Sequence, residues 1–183
     1  KYSGGGAASC SQCASGKAAK PGQPVCIPCL PGTKLVAGNC EVCPVGTYSG
    51  VAATTCTGCE DGKYQPENES SSCISCLPGT YGDAEKQTTN TCKTCGEGKY
   101  SSAQGATAES QCNRCSPGKY STLAAQTSVG ACINCVVGKY GDTDGATSIS
   151  ACKDCIVGVE FQDVAGQPSC KSTACEAGTY GTA

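Results

Sequence analysis

Cysteine in closely spaced pairs is the feature that most constrains how this chain can fold. Twenty of its 183 residues are cysteine, a proportion typical of secreted disulfide scaffolds. Nine pairs have the spacing C-x-x-C, and a tenth has a gap of four residues. In chain order the pairs are Cys10/Cys13, Cys26/Cys29, Cys40/Cys43, Cys56/Cys59, Cys73/Cys76, Cys92/Cys95, Cys112/Cys115, Cys132/Cys135, Cys152/Cys155 and Cys170/Cys175.

The segment after each pair is repeated as well. The third residue after the second cysteine is Gly in all ten units, Lys or Thr follows it in nine, and Tyr comes next in seven. In the unit that starts at Cys155, Phe161 stands one position later instead. The glycine predicts a turn with positive φ, and the Gly-Lys-Tyr or Gly-Thr-Tyr segment predicts a short strand. Each unit is therefore predicted to be a small out-and-back loop.

Large apolar side chains are too few to build an ordinary hydrophobic core. The chain has one Phe and neither Trp nor Met. A domain of this length would normally bury a broad apolar core, so covalent crosslinks or bound metal must substitute for it. We expect a small disulfide-rich fold of tandem loops and short β-hairpins with little or no helix. Each unit should contact only its immediate neighbours, so that the array forms an elongated rod.

The remaining composition argues against several classes of function. The formal net charge is −2 and the charges are scattered, so we expect no basic surface for nucleic acid. No apolar run approaches the roughly 20 residues that span a bilayer. The chain contains no His, which excludes Cys/His and Ser/His nucleophilic pairs. We expect neither an enzyme nor a protein that needs a cofactor.

Two disulfide pairings fit this spacing, because a sequence alone does not determine connectivity. The bonds join either the two cysteines within each C-x-x-C, or the second cysteine of one pair to the first of the next. The second pattern closes every long loop, and closing a loop of about 15 residues stabilises by roughly 3 kcal/mol. A chain with so little apolar area favours that pattern. It predicts Cys13–Cys26, Cys29–Cys40, Cys43–Cys56, Cys59–Cys73, Cys76–Cys92, Cys95–Cys112, Cys115–Cys132, Cys135–Cys152 and Cys155–Cys170.

That pairing leaves Cys10 and Cys175 without partners within the chain. We therefore expect residues 1–12 to form a partial repeat, residues 13–174 to form nine tandem cysteine-rich repeats, and residues 175–183 to begin another partial repeat. On this interpretation the chain is a fragment of a longer array.

Zinc binding is the alternative use for these cysteines. Two C-x-x-C pairs separated by a loop are also a zinc signature. However, the same Gly-Lys/Thr-Tyr element follows every pair, without the alternation that four-thiolate sites would impose. The pattern favours disulfides, and we predict no metal site. Intact mass and resistance to chelators would separate the two interpretations.

Two short motifs lie outside the cysteine pattern. Asn68-Glu-Ser70 is an N-glycosylation sequon in a polar loop, so Asn68 is a predicted glycan site. Asp142-Thr-Asp144-Gly145 is part of a calcium-loop pattern, but it lacks the later acidic ligands of such a loop. A plain turn is expected there.

Several units carry a resemblance to known cysteine-rich repeats. Cys43-Pro-Val-Gly-Thr-Tyr-Ser49 and Cys135-Val-Val-Gly-Lys-Tyr-Gly141 resemble the ephrin-receptor-like repeat. They are also similar to the first half-module of tumour-necrosis-factor-receptor cysteine-rich domains, but the interlaced second half-module is missing. The resemblance covers essentially the whole chain and implies loop-closing disulfides. It carries over no ligand-contact residues, because no ligand motif matches.

The expected function is structural and extracellular. We expect a scaffold or spacer at the cell surface, in a stalk, a matrix or a filamentous assembly such as a flagellar appendage. A receptor or adhesin ectodomain that binds a protein ligand is the alternative, and a large exposed apolar patch would favour it. The expected partners are further copies of the chain or other surface and matrix proteins, with glycans possible and no nucleic acid.

Overall fold

The computed structural model describes residues 12–19, 25–156 and 160–172. Within these residues, the strands form nine two-stranded antiparallel sheets, each a hairpin of two consecutive strands. The hairpins are β1 (Lys17–Ala19) with β2 (Cys26–Pro28), β3 (Thr33–Val36) with β4 (Asn39–Val42), β5 (Thr47–Tyr48) with β6 (Thr57–Gly58), β7 (Lys63–Tyr64) with β8 (Ile74–Ser75), β9 (Thr80–Tyr81) with β10 (Lys93–Thr94), β11 (Lys99–Tyr100) with β12 (Asn113–Arg114), β13 (Lys119–Tyr120) with β14 (Ile133–Asn134), β15 (Lys139–Tyr140) with β16 (Lys153–Asp154), and β17 (Glu160–Phe161) with β18 (Lys171–Ser172).

The first strand of most hairpins is the Lys/Thr-Tyr dipeptide that the sequence predicts to be extended. Its partner strand is the pair of residues between the two cysteines of the next C-x-x-C. In β11 and β12, for example, Lys99 lies opposite Arg114 and Tyr100 lies opposite Asn113. The helices of the described residues are single 3-10 turns of three residues. The predicted class, a small disulfide-rich fold of short hairpins, is confirmed.

Nine disulfides close the hairpins into loops. Each bond joins the second cysteine of one C-x-x-C to the first cysteine of the next, with Cα atoms 5.5–5.8 Å apart. This separation is typical of disulfides. We number the loops in chain order: loop 1 (Cys13–Cys26), loop 2 (Cys29–Cys40), loop 3 (Cys43–Cys56), loop 4 (Cys59–Cys73), loop 5 (Cys76–Cys92), loop 6 (Cys95–Cys112), loop 7 (Cys115–Cys132), loop 8 (Cys135–Cys152) and loop 9 (Cys155–Cys170).

Loop 9 begins with a longer turn than its predecessors. In loop 8 the N–H of Lys139 donates to the carbonyl of Val136, three residues earlier, at 3.1 Å. In loop 9 the N–H of Glu160 donates to the carbonyl of Ile156, four residues earlier, at 2.8 Å. The extra residue explains why Phe161 stands one position later than the tyrosine of the other units.

The chain divides into two compact units. The first consists of the described residues up to Cys76, together with Gly82–Cys92 and Gln104–Thr107. The second consists of Leu77–Tyr81, Lys93–Ala103 and the described residues from Ala108 onwards.

Sulfur rather than hydrocarbon occupies the interior of the described residues. The first half-cystine of each loop from loop 2 to loop 9 is between 0% and 8% exposed. The other buried apolar side chains are the second half-cystines of loops 6 to 8 and the small Ala18, Ala106 and Ala146. Leu30 and Leu77, in contrast, are 66% and 65% exposed. The disulfides therefore take the place of the missing apolar core, as the composition predicted.

Candidate functional site: a main-chain ladder between disulfide loops

Three main-chain hydrogen bonds recur between consecutive loops, and we call this set the ladder. In the second compact unit, the N–H of Gly98 in loop 6 donates to the carbonyl of Ser121 in loop 7 at 2.9 Å. The N–H of Ser121 donates to Ala146 of loop 8 at 3.0 Å, and the N–H of Gly145 donates back to Cys115 of loop 7 at 2.8 Å. All three lengths are those of good N–H···O bonds.

The first compact unit contains the same ladder. Gly46 of loop 3 donates to Gln65 of loop 4 at 2.8 Å, and Gln65 donates to Gln87 of loop 5 at 2.9 Å. Lys86 of loop 5 donates back to Cys59 of loop 4 at 2.7 Å. Because the ladder uses only backbone atoms, the side chains at these positions can differ between loops without breaking it.

The recurrent glycine also contacts the loop after next. A Cβ on Gly98 would lie 2.2 Å from the carbonyl oxygen of Gly145, two loops further along the chain. Gly98 also has φ +71°, which side chains disfavour. Its missing side chain and its backbone conformation are therefore both required. The corresponding contacts are Gly16/Ala52, Gly32/Glu69, Gly46/Lys86 and Gly62/Gly105 in the first compact unit, and Gly79/Ala125, Gly98/Gly145 and Gly118/Gly166 in the second.

The expectation that each unit contacts only its immediate neighbours is therefore wrong. The return turn of a loop bonds to the preceding loop through its N–H and reaches the loop before that one through its carbonyl. Gly145 of loop 8 does both, donating to Cys115 of loop 7 and placing its oxygen over Gly98 of loop 6. A left-handed backbone at the turn, with φ +69° for Gly145, directs these two groups toward different loops.

Apart from the turn expected at Asp142–Gly145, the turn residues that make these contacts were not identified from the sequence. All seven have φ between 53° and 75°, yet four of them are not glycine. A non-glycine residue in this conformation costs about 1–2 kcal/mol, and the ladder hydrogen bond offsets that cost. An Asp-Gly signal marks the turn of loop 8, at Asp144-Gly145, but the other six turns carry neither Asn-Gly nor Asp-Gly. The seven turn residues are Ala52, Glu69, Lys86, Gly105, Ala125, Gly145 and Gly166.

In loops 3 to 8 the residue after the tyrosine is buried although it is often polar. Ser101 and Ser121 are 1% and 3% exposed, and Gln65 is 6% exposed. The Gln65 side chain is satisfied at both ends, since its Nε2 donates to the carbonyl of Ser72 at 2.7 Å and its Oε1 accepts the N–H of Glu67 at 3.1 Å. In the described residues every buried side-chain nitrogen or oxygen has a hydrogen-bond partner. These positions support the ladder and offer no free polar group.

The tyrosines that recur in loops 3 to 8 are half-buried. The Lys153 ammonium lies 5.9 Å from the centre of the Tyr140 ring, and Lys171 lies 5.6 Å from that of Phe161. Both distances are within the range of cation–π contacts. The aromatic position is therefore in contact with groups of its own hairpin.

The titratable groups with shifted pKa values are surface ion pairs of the second compact unit. A hydrogen bond from Lys99 at 2.5 Å lowers the pKa of Glu109. A hydrogen bond from Lys153 at 2.7 Å lowers the pKa of Asp142, and the same contact raises the pKa of Lys153. The Lys171 ammonium likewise lowers the pKa of Asp163 through a hydrogen bond. The four groups with shifted pKa values are exposed, so they are ordinary surface charges.

The Asp142–Gly145 segment is the return turn of loop 8. Asp142 pairs with Lys153, and Asp144 lies 3.8 Å from Arg114. The described residues contain no cluster of three or more His, Cys, Asp or Glu side chains that could hold a metal ion. They also contain no helix of sufficient length and apolarity to cross a membrane.

The predicted site residues fall into three groups. The structure joins the eighteen predicted half-cystines in nine disulfides, whereas Cys10 and Cys175 lie outside the described residues. Asn68 is exposed beside the return turn of loop 4, and its Oδ1 accepts the N–H of Val45 at 3.0 Å.

Residues 46–86 match a family model described as tyrosine-protein kinase ephrin type A/B receptor-like. This segment is similar to the ephrin-receptor-like repeat, and it lies within a cysteine-rich array of nine disulfide loops. The matched segment contains all of loop 4 and the adjoining parts of loops 3 and 5. The matched segment therefore includes ladder residues of the first compact unit, such as Gly46, Gln65 and Lys86.

Two relatives are similar to a longer stretch of the array. They are the "Sushi, von Willebrand factor type A, EGF and pentraxin domain-containing protein 1" of Mus musculus and of Rattus norvegicus, each 36% identical over 84 residues. The alignment covers 45% of this chain and 2% of each relative. The chain thus spans only a small part of these relatives. Together with the family match, they indicate an extracellular type of cysteine-rich domain.

Proposed function

We propose that the array is an extracellular structural scaffold or spacer in a cell-surface stalk, a matrix or a filamentous assembly such as a flagellar appendage. The observation that carries this proposal is the ladder, together with the contact of each return turn with the glycine two loops earlier. These interactions tie each loop from loop 2 to loop 9 to at least two others through backbone atoms. Such a chain resists local opening without depending on a hydrophobic core.

The chemistry of the described residues supports a structural role. The half-cystines of all nine loops are in disulfides, so their thiols are not available as nucleophiles or metal ligands. The acids and bases with shifted pKa values are exposed ion pairs. Extracellular cysteine-rich domains of this type act through protein partners, and we propose that the partners include further copies of this chain.

Crosslinking of the native assembly tests the scaffold proposal. An amine-reactive crosslinker applied to the source material, followed by mass spectrometry, would reach exposed lysines such as Lys86, Lys93 and Lys171. We expect links between identical lysine peptides, which only two copies of one chain can produce. A crosslinked set restricted to one different protein would contradict the scaffold and support the ligand-binding alternative.

That alternative, a receptor or adhesin ectodomain, has one observation in its favour. The second compact unit exposes several large apolar side chains, among them Leu123, Val129, Val137, Ile149 and Ile156, each 56–64% exposed. Exposed apolar surface often marks a protein interface. If the alternative is correct, replacing Val137 and Ile156 with Ser should abolish crosslinks to the ligand. If the scaffold proposal is correct, the links between copies should remain unchanged.

A further inference from the structure

We propose that Asn68 carries an N-linked glycan at the outer edge of loop 4. The proposal rests on the proposed function in one respect, namely that the chain enters a secretory pathway. Asn68-Glu69-Ser70 is the single Asn-x-Ser/Thr sequence of the chain. A sequon alone is a weak signal, so the argument depends on how the fold presents it.

The Asn68 side chain is held by one end only. Its Oδ1 accepts the backbone N–H of Val45 in loop 3 at 3.0 Å. No hydrogen bond to its Nδ2 is present among the described residues, and Asn68 is exposed. The nitrogen that receives a sugar is therefore the free atom of the amide, while the oxygen fixes the orientation of the group.

The backbone on the C-terminal side of Asn68 is part of the ladder. Glu69 has φ +58° and donates its N–H to the carbonyl of Cys43 at 2.9 Å. The carbonyl of Ser70 accepts the N–H of Ser49 at 3.2 Å. The ladder bonds therefore hold the backbone beside Asn68 in place, while the free amide nitrogen of its side chain remains available.

The position before the turn residue has room for a large group in every loop from loop 3 to loop 9. The residue that precedes the turn residue is exposed in every loop from loop 3 to loop 9, whereas the residue that follows it is half-buried or buried. A glycan at the preceding position projects into solvent and leaves the ladder intact. The exposed positions are Val51, Asn68, Glu85, Gln104, Ala124, Asp144 and Ala165.

The modification requires an oligosaccharide carried on a lipid pyrophosphate. A bond forms between Asn68 Nδ2 and the anomeric carbon of the first sugar, and the bond from that carbon to the pyrophosphate oxygen breaks. The amide nitrogen loses one proton and the lipid pyrophosphate leaves with the electron pair of the broken bond. The Oδ1 atom takes no part, so its hydrogen bond with Val45 is compatible with the glycan.

Peptide mapping tests the proposal directly. The chain is expressed behind a secretion signal in a eukaryotic host, and retained and secreted protein are both treated with peptide N-glycosidase in ¹⁸O-labelled water. We expect ¹⁸O-labelled aspartate at position 68 in the wild type and in Ser70→Thr, which keeps the sequon. Ser70→Ala keeps Asn68 but should remove the label.

Unmodified Asn68 in both the wild type and Ser70→Thr would overturn the proposal, provided that a second secreted sequon in the same cells is occupied. Because retained protein is analysed too, the result does not depend on export. Failure of the disulfides to form in that host would instead contradict the proposed extracellular function. The two failures are therefore distinguishable.

Thermal melting tests the claimed orientation of the side chain. Ser70→Ala removes the glycan and the Ser70 hydroxyl bond to Glu67 but keeps the Val45 bond, so it serves as the unglycosylated reference. The double variant Asn68→Ala/Ser70→Ala removes the Val45 bond as well and should lower the midpoint by a further few degrees, about 2–4 °C for the loss of one hydrogen bond. Equal midpoints for the two variants would contradict the anchoring of Oδ1.

Discussion

Loops 6, 7 and 8 close in a different way from loops 2 to 5. In loops 6 to 8 the half-cystines are separated by 17 residues, and a 3-10 turn precedes the second one. In loops 2 to 5 the separation ranges from 11 to 16 residues. The second half-cystine is 6–7% exposed in loops 6 to 8, whereas it is half-buried or exposed in loops 2 to 5.

The difference shows which part of a repeat may vary. In loops 4 to 8 the turn residue comes ten positions after the first half-cystine, as in Cys59 to Glu69 and Cys95 to Gly105. The variation lies behind the turn, since four positions separate Glu69 from Cys73 and seven separate Gly105 from Cys112. The first part of each loop must reach the ladder, but the second part only needs to return to its disulfide.

Removal of a whole disulfide should lower the free energy of unfolding more than any other change. The loss should be larger in loops 6 to 8 than in loops 2 to 5. Replacing Cys115 and Cys132 of loop 7 with Ser should cost about 4 kcal/mol, from lost loop closure and from buried sulfur that both half-cystines contribute. The same change at Cys29 and Cys40 of loop 2 should cost about 2–3 kcal/mol, because Cys40 is exposed. Denaturant unfolding without reductant measures both values. Equal losses would show that burial of the second half-cystine adds nothing.

Substitution of the recurrent glycine should instead affect both groups alike. Gly98→Ala in loop 6 and Gly46→Ala in loop 3 would place a Cβ 2.2 Å and 2.5 Å from the carbonyl oxygens of Gly145 and Lys86. We expect each to cost about 3 kcal/mol, from left-handed backbone strain plus steric overlap. Thermal and denaturant unfolding provide the measurement.

A matched control isolates the contact with the loop after next. Gly138 has φ +82°, but a Cβ there would meet no atom of the described residues within 4 Å. Gly138→Ala should therefore cost about 1 kcal/mol, from backbone strain alone. If Gly138→Ala proved as harmful as Gly98→Ala, the contact with the loop after next would not contribute to stability.

The smallest expected effect is a pH response confined to the second compact unit. Lys99 lowers the pKa of Glu109 through a hydrogen bond. The ionised carboxylate is therefore stabilised in the folded state relative to the unfolded state. The resulting stabilisation is present above the ordinary Glu pKa of 4.5 and is lost as pH falls through the lower, folded value.

Nuclear magnetic resonance titration of the Glu109 carboxyl would measure this shift, and Lys99→Gln should raise the midpoint toward the ordinary value. Loop 7 provides the contrast, because Val129 begins its 3-10 turn where Glu109 begins that of loop 6. A Glu109 midpoint that did not change in Lys99→Gln would show that the ion pair does not form in solution.

The sequence predicts the hairpins and their repeat well, because Gly and Tyr at constant distances from cysteine are local signals. It predicts the replacement of a core by disulfides equally well, because composition alone excludes an apolar interior. The contact between loops two apart could not be found in this way. It depends on left-handed backbone at residues such as Ala52, Glu69 and Lys86, and no side chain there signals that conformation.

The burial of the polar side chains after the tyrosine could not be predicted from the sequence, for a related reason. Ser and Gln at these positions look like ordinary loop residues, yet Ser101 and Gln65 are buried because their backbone groups join the ladder. Their burial follows from contacts between loops that are distant in sequence. A pattern within one repeat carries no information about such contacts.

The contact between Gly98 and Gly145 also determines the order in which the chain can mature. A polypeptide emerges from the ribosome from its N-terminus, so loop 8 does not yet exist when loop 6 is complete. Loop 6 therefore acquires its last packing partner only after two further loops have emerged and oxidised. During synthesis, the two most recently completed loops therefore always lack their contact with the loop after next. Those two loops are the ones whose cysteines can most easily form non-native disulfides.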